Sequence, residues 1–328
     1  MLIAGDVGGT KTLLGLFDPG PARPRPIAVQ SFETASYDDL TSIVAEFLAA
    51  PAIANQPIES AAFGVAGPVI GDTADLTNIP WRIDARKVAK RFRLARVGLL
   101  NDLEAMAYGV TVLDESEVHV LQPGKGGTGG NIGIVAAGTG LGEATLHDVG
   151  GRLIPAASEG GHADFAARTE REIRLVRWLI ADHGRAEVED VVSGRGLLNI
   201  HRLAHTEACL AGVDLASPDA PATITRAGLG GTCPGCVEAL DMFVDAYGAE
   251  AGNLALRFVT TGGMFVGGGI APKILPALTD GRFIRAFLAK SPFEDLLASI
   301  PVKVILNQET GLIGAAVRAS HLRASTPA

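Results

Sequence analysis

The sequence predicts an α/β protein of two domains. Three observations point there. Strand-like and helix-like segments alternate from Leu2 to Tyr108 and again near the end of the chain. A strand, a glycine–threonine turn and a second strand occur twice, at residues 2–17 and 132–147, which hints at two related halves. The length, 328 residues, suits about two domains.

The first strand-like run ends in Asp6-Val7-Gly8-Gly9-Thr10-Lys11-Thr12. Two readings compete. The pattern G-x-x-x-x-G-K-[ST] of a P-loop fits Gly5, Lys11 and Thr12, but Thr10 stands where the second glycine belongs, and a P-loop opens a helix. Here Leu13 to Asp18 is apolar and ends at a Pro19-Gly20 turn, so a second strand is expected. The opening element is then a β-hairpin. The glycines in its turn let backbone N–H groups approach a phosphate, and Asp6 stands beside them to hold Mg²⁺.

Ile27 to Phe32 adds a third strand. Ser36, with Asp39 as its capping-box partner, is expected to cap a helix whose apolar face is Leu40, Ile43, Val44, Phe47 and Leu48. Ala61 to Val65 is a buried strand running into Ala66-Gly67-Pro68, followed by a turn and then Leu76-Thr77-Asn78-Ile79-Pro80-Trp81. A helix near 85–91 and a strand at Val97 to Leu100 lead to Asn101-Asp102 and a helix from Leu103 to Tyr108. Open α/β sheets bind ligands at the carboxyl ends of strands, which makes Asp102 a candidate general base; the plainer reading is a helix cap.

Gln122 to Gly133, with Lys125, Thr128 and Asn131, reads as a mobile loop before the second hairpin at Gly138-Thr139-Gly140-Leu141-Gly142. The remainder is mainly helical. Segments 169–183 (apolar at Ile173, Val176, Leu179 and Ile180), 197–210 and 237–261 carry helical spacing. Gly262-Gly263 stops the last of these. Met264 to Val266 is a strand entering Gly267-Gly268-Gly269, with a helix from near Pro272. Val302 to Leu306 and Thr310 to Leu322 form a last strand and helix, expected to pack back on the first domain.

In Ser158-Glu159-Gly160-Gly161-His162 a carboxylate and an imidazole stand three residues apart. On a helix they would share a face and suit a metal. Two glycines argue against that helix, so hydrogen bonding to hydroxyl groups is the better reading. Cys233-Pro234-Gly235-Cys236 is a CxxC, but a Cys₄ zinc site needs a second pair and only Cys209 remains. It reads as a loop whose second cysteine begins a helix. Glu189 is ambiguous by itself.

Glycine is enriched, 41 of 328 against a usual ~7%, as many tight turns and nucleotide sites require. A net charge of −8 argues against nucleic-acid binding. Three cysteines make no disulfide framework, and a reducing compartment is the default. There is no secretory h-region and no apolar run of ~18 residues, so a soluble cytoplasmic protein without membrane contact is expected.

Asp6-Val7-Gly8-Gly9-Thr10 resembles the first phosphate motif of the sugar kinase, actin and Hsp70 superfamily. Gly138-Thr139-Gly140 resembles its second phosphate motif, and Gly267-Gly268-Gly269-Ile270 its adenosine motif. Phe63 to Val69, Leu76 to Trp81, Asn101-Asp102 and Glu159-Gly160-Gly161-His162 together resemble bacterial ATP-dependent glucokinases. Val192-Ser193-Gly194-Arg195-Gly196-Leu197 looks like that family's SGxGL element, with Glu189 upstream in the glutamate position.

The resemblance implies a two-lobed actin-like ATPase fold, ribonuclease H-like. Its ligand cleft would lie between a smaller α/β domain, 1–108 plus 303–328, and a larger α+β domain, 109–302. It implies transfer of the γ-phosphoryl of ATP to the 6-hydroxyl of glucose, feeding glycolysis. Asp6, Gly8, Gly9, Thr10, Gly138, Thr139, Gly140, Gly267 and Gly268 would then bind ATP, and Asp6 would hold Mg²⁺ through water. Asp102 would be the base. Asn101, Asp102, Glu159, His162, Glu189 and Gly67 would bind the sugar. A homodimer is implied as well. The rivals are another hexose or amino-sugar kinase and a non-catalytic sugar sensor. The zinc motif that the related ROK kinases carry near the EGGH histidine is missing, and a DNA-binding ROK repressor would need a helix-turn-helix for which Asp6, in sixth position, leaves no room. Zinc is therefore not carried over, and Lys11 and Arg195 are given no role.

Overall fold

The computed structural model describes residues 1–324 except 55, 77, 78, 126–128 and 206. Thr77, Asn78 and Thr128, named above, lie outside the described residues. The chain divides into two compact units, Met1–Asp114 with Asn307–Ala328, and Glu115–Leu306.

The first unit is formed by β1 (Leu2–Val7), β2 (Lys11–Asp18), β3 (Arg25–Glu33), α1 (Leu40–Ala49), β4 (Ser60–Val65), the short β5 (Val69–Ile70), β6 (Thr73–Asp75) and β7 (Arg82–Asp84), α2 (Ala85–Phe92), β8 (Val97–Asn101) and α3 (Asp102–Val110). The second unit runs through β9 (Val118–Gln122), β10 (Ile132–Ala137), β11 (Leu141–Val149), β12 (Arg152–Ser158), α4 (Glu170–His183), α5 (Gly194–Ala204), α6 (Ala220–Leu229), α7 (Pro234–Phe258), β13 (Gly263–Gly267), α8 (Leu275–Leu278), α9 (Arg282–Leu288), α10 (Glu294–Ser299) and β14 (Val302–Ile305). The chain then returns to the first unit with α11 (Thr310–Ala324).

In the first unit the sheet order is β3-β2-β1-β4-β8. β1 is antiparallel to β2, with Asp6 opposite Leu13, and parallel to β4. β1 is covered on both faces, as a central strand of a mixed sheet must be. Ile3 and Phe63 meet the side chains of α1, Ile43, Val44 and Phe47, on one face. Leu2, Ala4 and Ala62 meet Leu312, Ala315, Ala316 and Ala319 of α11 on the other. Each such fully buried leucine or phenylalanine contributes about 1.5–3 kcal/mol. Asp39, not Ser36, caps α1: its Oδ1 accepts from the Ser42 amide at 2.7 Å, while Thr34–Ser36 forms a separate 3₁₀ turn.

Two glycines lock α3 against α11. A Cβ on Gly314 would lie 1.7 Å from the Ala105 carbonyl oxygen, and one on Gly109 would lie 2.2 Å from that of Thr310. Only bare backbone permits that approach, so α3 and the Asp102 at its start are fixed against the helix that begins beside Asp6.

The second unit has a six-stranded sheet, β12-β11-β10-β13-β14-β9. β14 pairs in parallel with β13, so this strand lies in the second unit and only α11 packs on the first sheet. α7 is buried along most of its length and carries Phe243 and Tyr247 into the core. α4 turns inward only part of the face its spacing predicted: Leu179 and Val176 pack on the core, and Ile173 and Ile180 do not. Leu175 and Leu179 are buried, whereas Ile180 is 50% exposed. A full capping box at Thr169 and Glu172 starts that helix, with Glu172 buried below it. α5 covers Gly194–Ala204 rather than 197–210, because Ser193 caps it through the Gly196 amide. Among the described residues no helix is long and apolar enough to cross a membrane.

Candidate active site

The first turn, Gly8-Gly9-Thr10, joins β1 to β2 as a hairpin closed by the Gly8 amide on the Lys11 carbonyl at 3.0 Å. Thr34 braces it from outside. Its hydroxyl donates to the Gly8 carbonyl at 2.9 Å, and its amide to the Thr10 carbonyl at 3.0 Å. Asp6 ends up at the carboxyl end of β1 with its Oδ2 3.3 Å from where a Cβ on Gly311 would be, at the start of α11. Burial pushes the Asp6 carboxyl up from its ordinary value, and the nearby Lys11 ammonium pulls it down. An all-oxygen donor held in a poorly hydrated position fits a hard divalent cation such as Mg²⁺.

Asn101 and Asp102 stand where β8 becomes α3. Asn101, not Asp102, is the N-cap. Its Oδ1 accepts from the Leu103 amide at 2.9 Å, and its Nδ2 donates to the Gly67 carbonyl at 3.4 Å. Asp102 is the first helical residue, and its Oδ1 also lies 2.9 Å from the Leu103 amide. A carboxylate in that position is favoured by the helix dipole. Gly67 has no room for a side chain, since a Cβ there would be 2.2 Å from the Asp75 carbonyl oxygen. The structure thus brings Gly67, Asn101 and Asp102 together.

In the second unit the hairpin at Gly138-Thr139-Gly140 closes through the Gly138 amide on the Gly140 carbonyl at 2.8 Å, with Thr139 exposed at its tip. The Gly138 carbonyl in turn accepts from the Gly194 amide at 2.8 Å. Glu189 reaches the same turn: its Oε2 accepts from the Leu141 amide at 2.8 Å. Arg195 holds Glu189 and Asp190 at 3.3 and 2.9 Å, so it positions the carboxylate and is not a bystander. Gly267-Gly268 arrives alongside because β13 runs parallel to β10, with Gly267 opposite Ala136. Gly268, at φ +81, packs its bare Cα against the Ala137 carbonyl, where a Cβ would lie 2.2 Å away. Tyr247 ties this seam: its hydroxyl is 3.1 Å from the Ala137 amide, 3.1 Å from the Val135 carbonyl and 3.0 Å from the Gly267 carbonyl.

Glu159 follows β12 directly and leads into a 3₁₀ turn, Gly160–His162. It is zipped to the segment carrying Glu189, through Val188 N to Ala163 O and Glu189 N to Gly161 O, both 2.9 Å. His162 and Glu189 are therefore neighbours. His162 donates from Nδ1 to Glu187, and that bond holds the imidazole above its usual pKa, with burial opposing and Glu189 and Glu159 assisting. Beneath the turn lies Glu143 of β11, buried, its Oε2 where a Cβ on Gly160 would clash. Burial and the nearby Glu250 push the Glu143 carboxyl up to about 8.

Sequence reasoning missed Glu187, Glu143, Tyr247 and the positioning role of Arg195. Only Glu187 carried a signal, a carboxylate two residues before Glu189 on an extended segment. Glu143 and Tyr247 act across long sequence separations, and Arg195, six residues from Glu189, has no signal of its own in the sequence.

A glucokinase family model matches residues 3–322. The glucokinase of Nostoc sp. is 40% identical over 98% of this chain and 99% of that protein. The glucokinase of Synechocystis sp. is 39% identical over 97% of this chain and 98% of its own. The crystal structure of glucokinase from an Antarctic psychrotroph superposes with a TM-score of 0.85 at 27% identity, covering 98% of each chain. A ROK family glucokinase from Streptomyces griseus, solved in complex with glucose and AMPPNP, shares the fold at a TM-score of 0.65 and 24% identity, covering 98% of this chain and 99% of that one.

Topology and turns together define a sugar kinase with the two-domain actin-like ATPase fold. Within that class, the chain belongs to the glucokinase family.

Proposed function

We propose that this chain transfers the γ-phosphoryl of ATP to the 6-hydroxyl of D-glucose. The observation that carries this reading is the bond from the Leu141 amide to Glu189. It joins a glycine–threonine turn suited to phosphate to a carboxylate suited to sugar hydroxyls, so the donor and acceptor positions share one framework. Phosphoryl transfer is largely positioning and charge neutralisation, and such a framework supplies the positioning.

The turns Gly8-Gly9-Thr10 and Gly138-Thr139-Gly140 present N–H groups and the Thr10 and Thr139 hydroxyls to phosphate oxygens. Gly267-Gly268 gives the adenosine flat, side-chain-free backbone. Asp6 would hold Mg²⁺, which neutralises phosphate charge when bound. Asp102 accepts the proton of the attacking hydroxyl, held in place by α3. Glu159, His162, Glu189, Asn101 and the Gly67 backbone pair with the remaining sugar hydroxyls. An epimer would leave one of these polar groups unpaired, which can cost orders of magnitude in rate.

A rival hexose or amino-sugar specificity is separated by measuring ADP release from ATP-Mg²⁺ with glucose, mannose, fructose and N-acetylglucosamine in parallel. Glucose should be preferred by at least about tenfold in kcat/KM. Binding of glucose without ADP release would instead make the chain a sugar sensor.

A further inference from the structure

Three cysteines and two histidines gather on the second unit between the end of α5 and the start of α7. Ligand atoms of His201, His205, Cys209 and Cys236 all lie within 4.8 Å of one another. Cys233 joins them. Its Sγ is 3.7 Å from that of Cys209 and 3.2 Å from His205 Nε2, while Cys209 and Cys236 are 3.6 Å apart at sulfur. We propose that Cys209, Cys233, Cys236 and Nε2 of His205 form a structural zinc site.

The spacings fit a shared ion and exclude a disulfide. Zn–S bonds of about 2.3 Å in a tetrahedron put sulfurs about 3.8 Å apart, close to the two distances here. A disulfide would bring one pair to about 2 Å and leave the third thiol unused. His205 is also oriented as a ligand. Its Nδ1 lies 2.9 Å from the His201 carbonyl, which fixes the proton there and leaves Nε2 as the donor to metal. Gly235 lets the ring lie against the CxxC loop, since a Cβ there would be 2.5 Å from the imidazole. The loop geometry thus requires glycine between the two cysteines.

A second, independent observation is His201. It is 4% exposed, stacks on His205 with ring centroids 3.8 Å apart, and neither of its ring nitrogens has a hydrogen-bond partner. A buried imidazole with two unpaired nitrogens costs free energy. Beside a zinc–thiolate centre it has thiolates to donate to, and it stands ready as an alternative ligand.

Sequence alone discounted the CxxC for want of a second pair. The partners are His205 and Cys209, with H-x₃-C spacing on the far side of the segment that holds α6. Three thiolates and an imidazole are soft and borderline ligands that select zinc over hard cations. Zinc there would clamp the carboxyl end of α5 to the amino end of α7 and tie down the segment between them. α5 begins at Gly194, whose amide holds the Gly138 turn, so the clamp secures the far end of the helix that braces the second phosphate turn.

The full chain, purified under reductant from zinc-containing medium, should carry about one zinc per chain by elemental analysis. Replacing zinc by Co²⁺ should give the intense visible bands of tetrahedral cobalt and a thiolate charge-transfer band. Cys209→Ser and Cys236→Ser should each lower zinc content at least tenfold, and chelation should lower the melting temperature of the wild type. Metal-free protein with no thiolate–Co²⁺ band would overturn the proposal, and so would full zinc content in the Cys209→Ser/Cys236→Ser double variant. The cobalt spectrum is read on the wild type, so the test stands even where a variant fails to fold.

Discussion

Replacing Gly140 by alanine isolates the link between the Gly138-Thr139-Gly140 turn and Glu189, the proposed phosphate and sugar ligands. The backbone at Gly140 lies outside the left-handed region, so alanine adds no backbone strain. The new Cβ would be 2.4 Å from Glu189 Oε2 and 3.1 Å from its Cδ. An ordinary contact begins near 3.4 Å, so the carboxylate must withdraw by about 1 Å. Glu189 Oε2 is 2.8 Å from the Leu141 amide, and a retreat of that size breaks the hydrogen bond. A charge-assisted bond of this kind contributes about 1.5–3 kcal/mol, which converts to roughly 10- to 150-fold. The expected result is a rise in the glucose KM within that range, with the KM for ATP changed less than about threefold. Coupled ADP detection over a matrix of glucose and ATP concentrations measures both. An unchanged glucose KM in a folded variant, or a loss confined to ATP, would refute Glu189 as a sugar ligand positioned by this turn.

Gly138→Ala is the complementary test. No protein atom lies within 4 Å of a Cβ there, so urea stability should stay within about 0.5 kcal/mol of wild type while the KM for ATP rises as the methyl meets phosphate. Glu143→Gln should remove a pH dependence of stability. The carboxyl titrates near 8 when folded against 4.5 unfolded, so the stability it contributes is present below about pH 4.5 and lost as pH rises towards 8. Unfolding free energies from urea titrations at pH 5 and pH 8 should differ less in the variant, by an amount on the order of a few kcal/mol. Glu187→Gln should lower the pH at which His162 loses its proton, because the bond to Glu187 is the main cause of its raised pKa. An imidazole titration by NMR reads this directly, and the glucose KM should rise several-fold.

Much of the site was legible because its devices are local. A glycine–threonine turn followed by a second apolar run with no helix signal reads as a hairpin, and both hairpins formed with strands at 2–7 and 132–137. Asn101-Asp102 was placed correctly at a strand-to-helix junction, although the cap proved to be Asn101. Legibility failed where two distant segments share a job. β12 and its pairing with β11 escaped notice, and with them the contact that sets Glu143 under the EGGH turn. In α4, Ile180 has the periodicity of a core residue yet faces solvent, because Leu175 and Leu179 fill the available core. The cysteines looked like an incomplete set because histidines one helical turn apart were not counted with them.

Asp102→Ala tests the phosphoryl-transfer reading most directly. Glucose binding, followed by calorimetry without ATP, should stay within about tenfold of wild type, while single-turnover formation of ADP falls by at least about 10². Turnover close to wild type in that variant, with glucose still bound, would contradict Asp102 as the base.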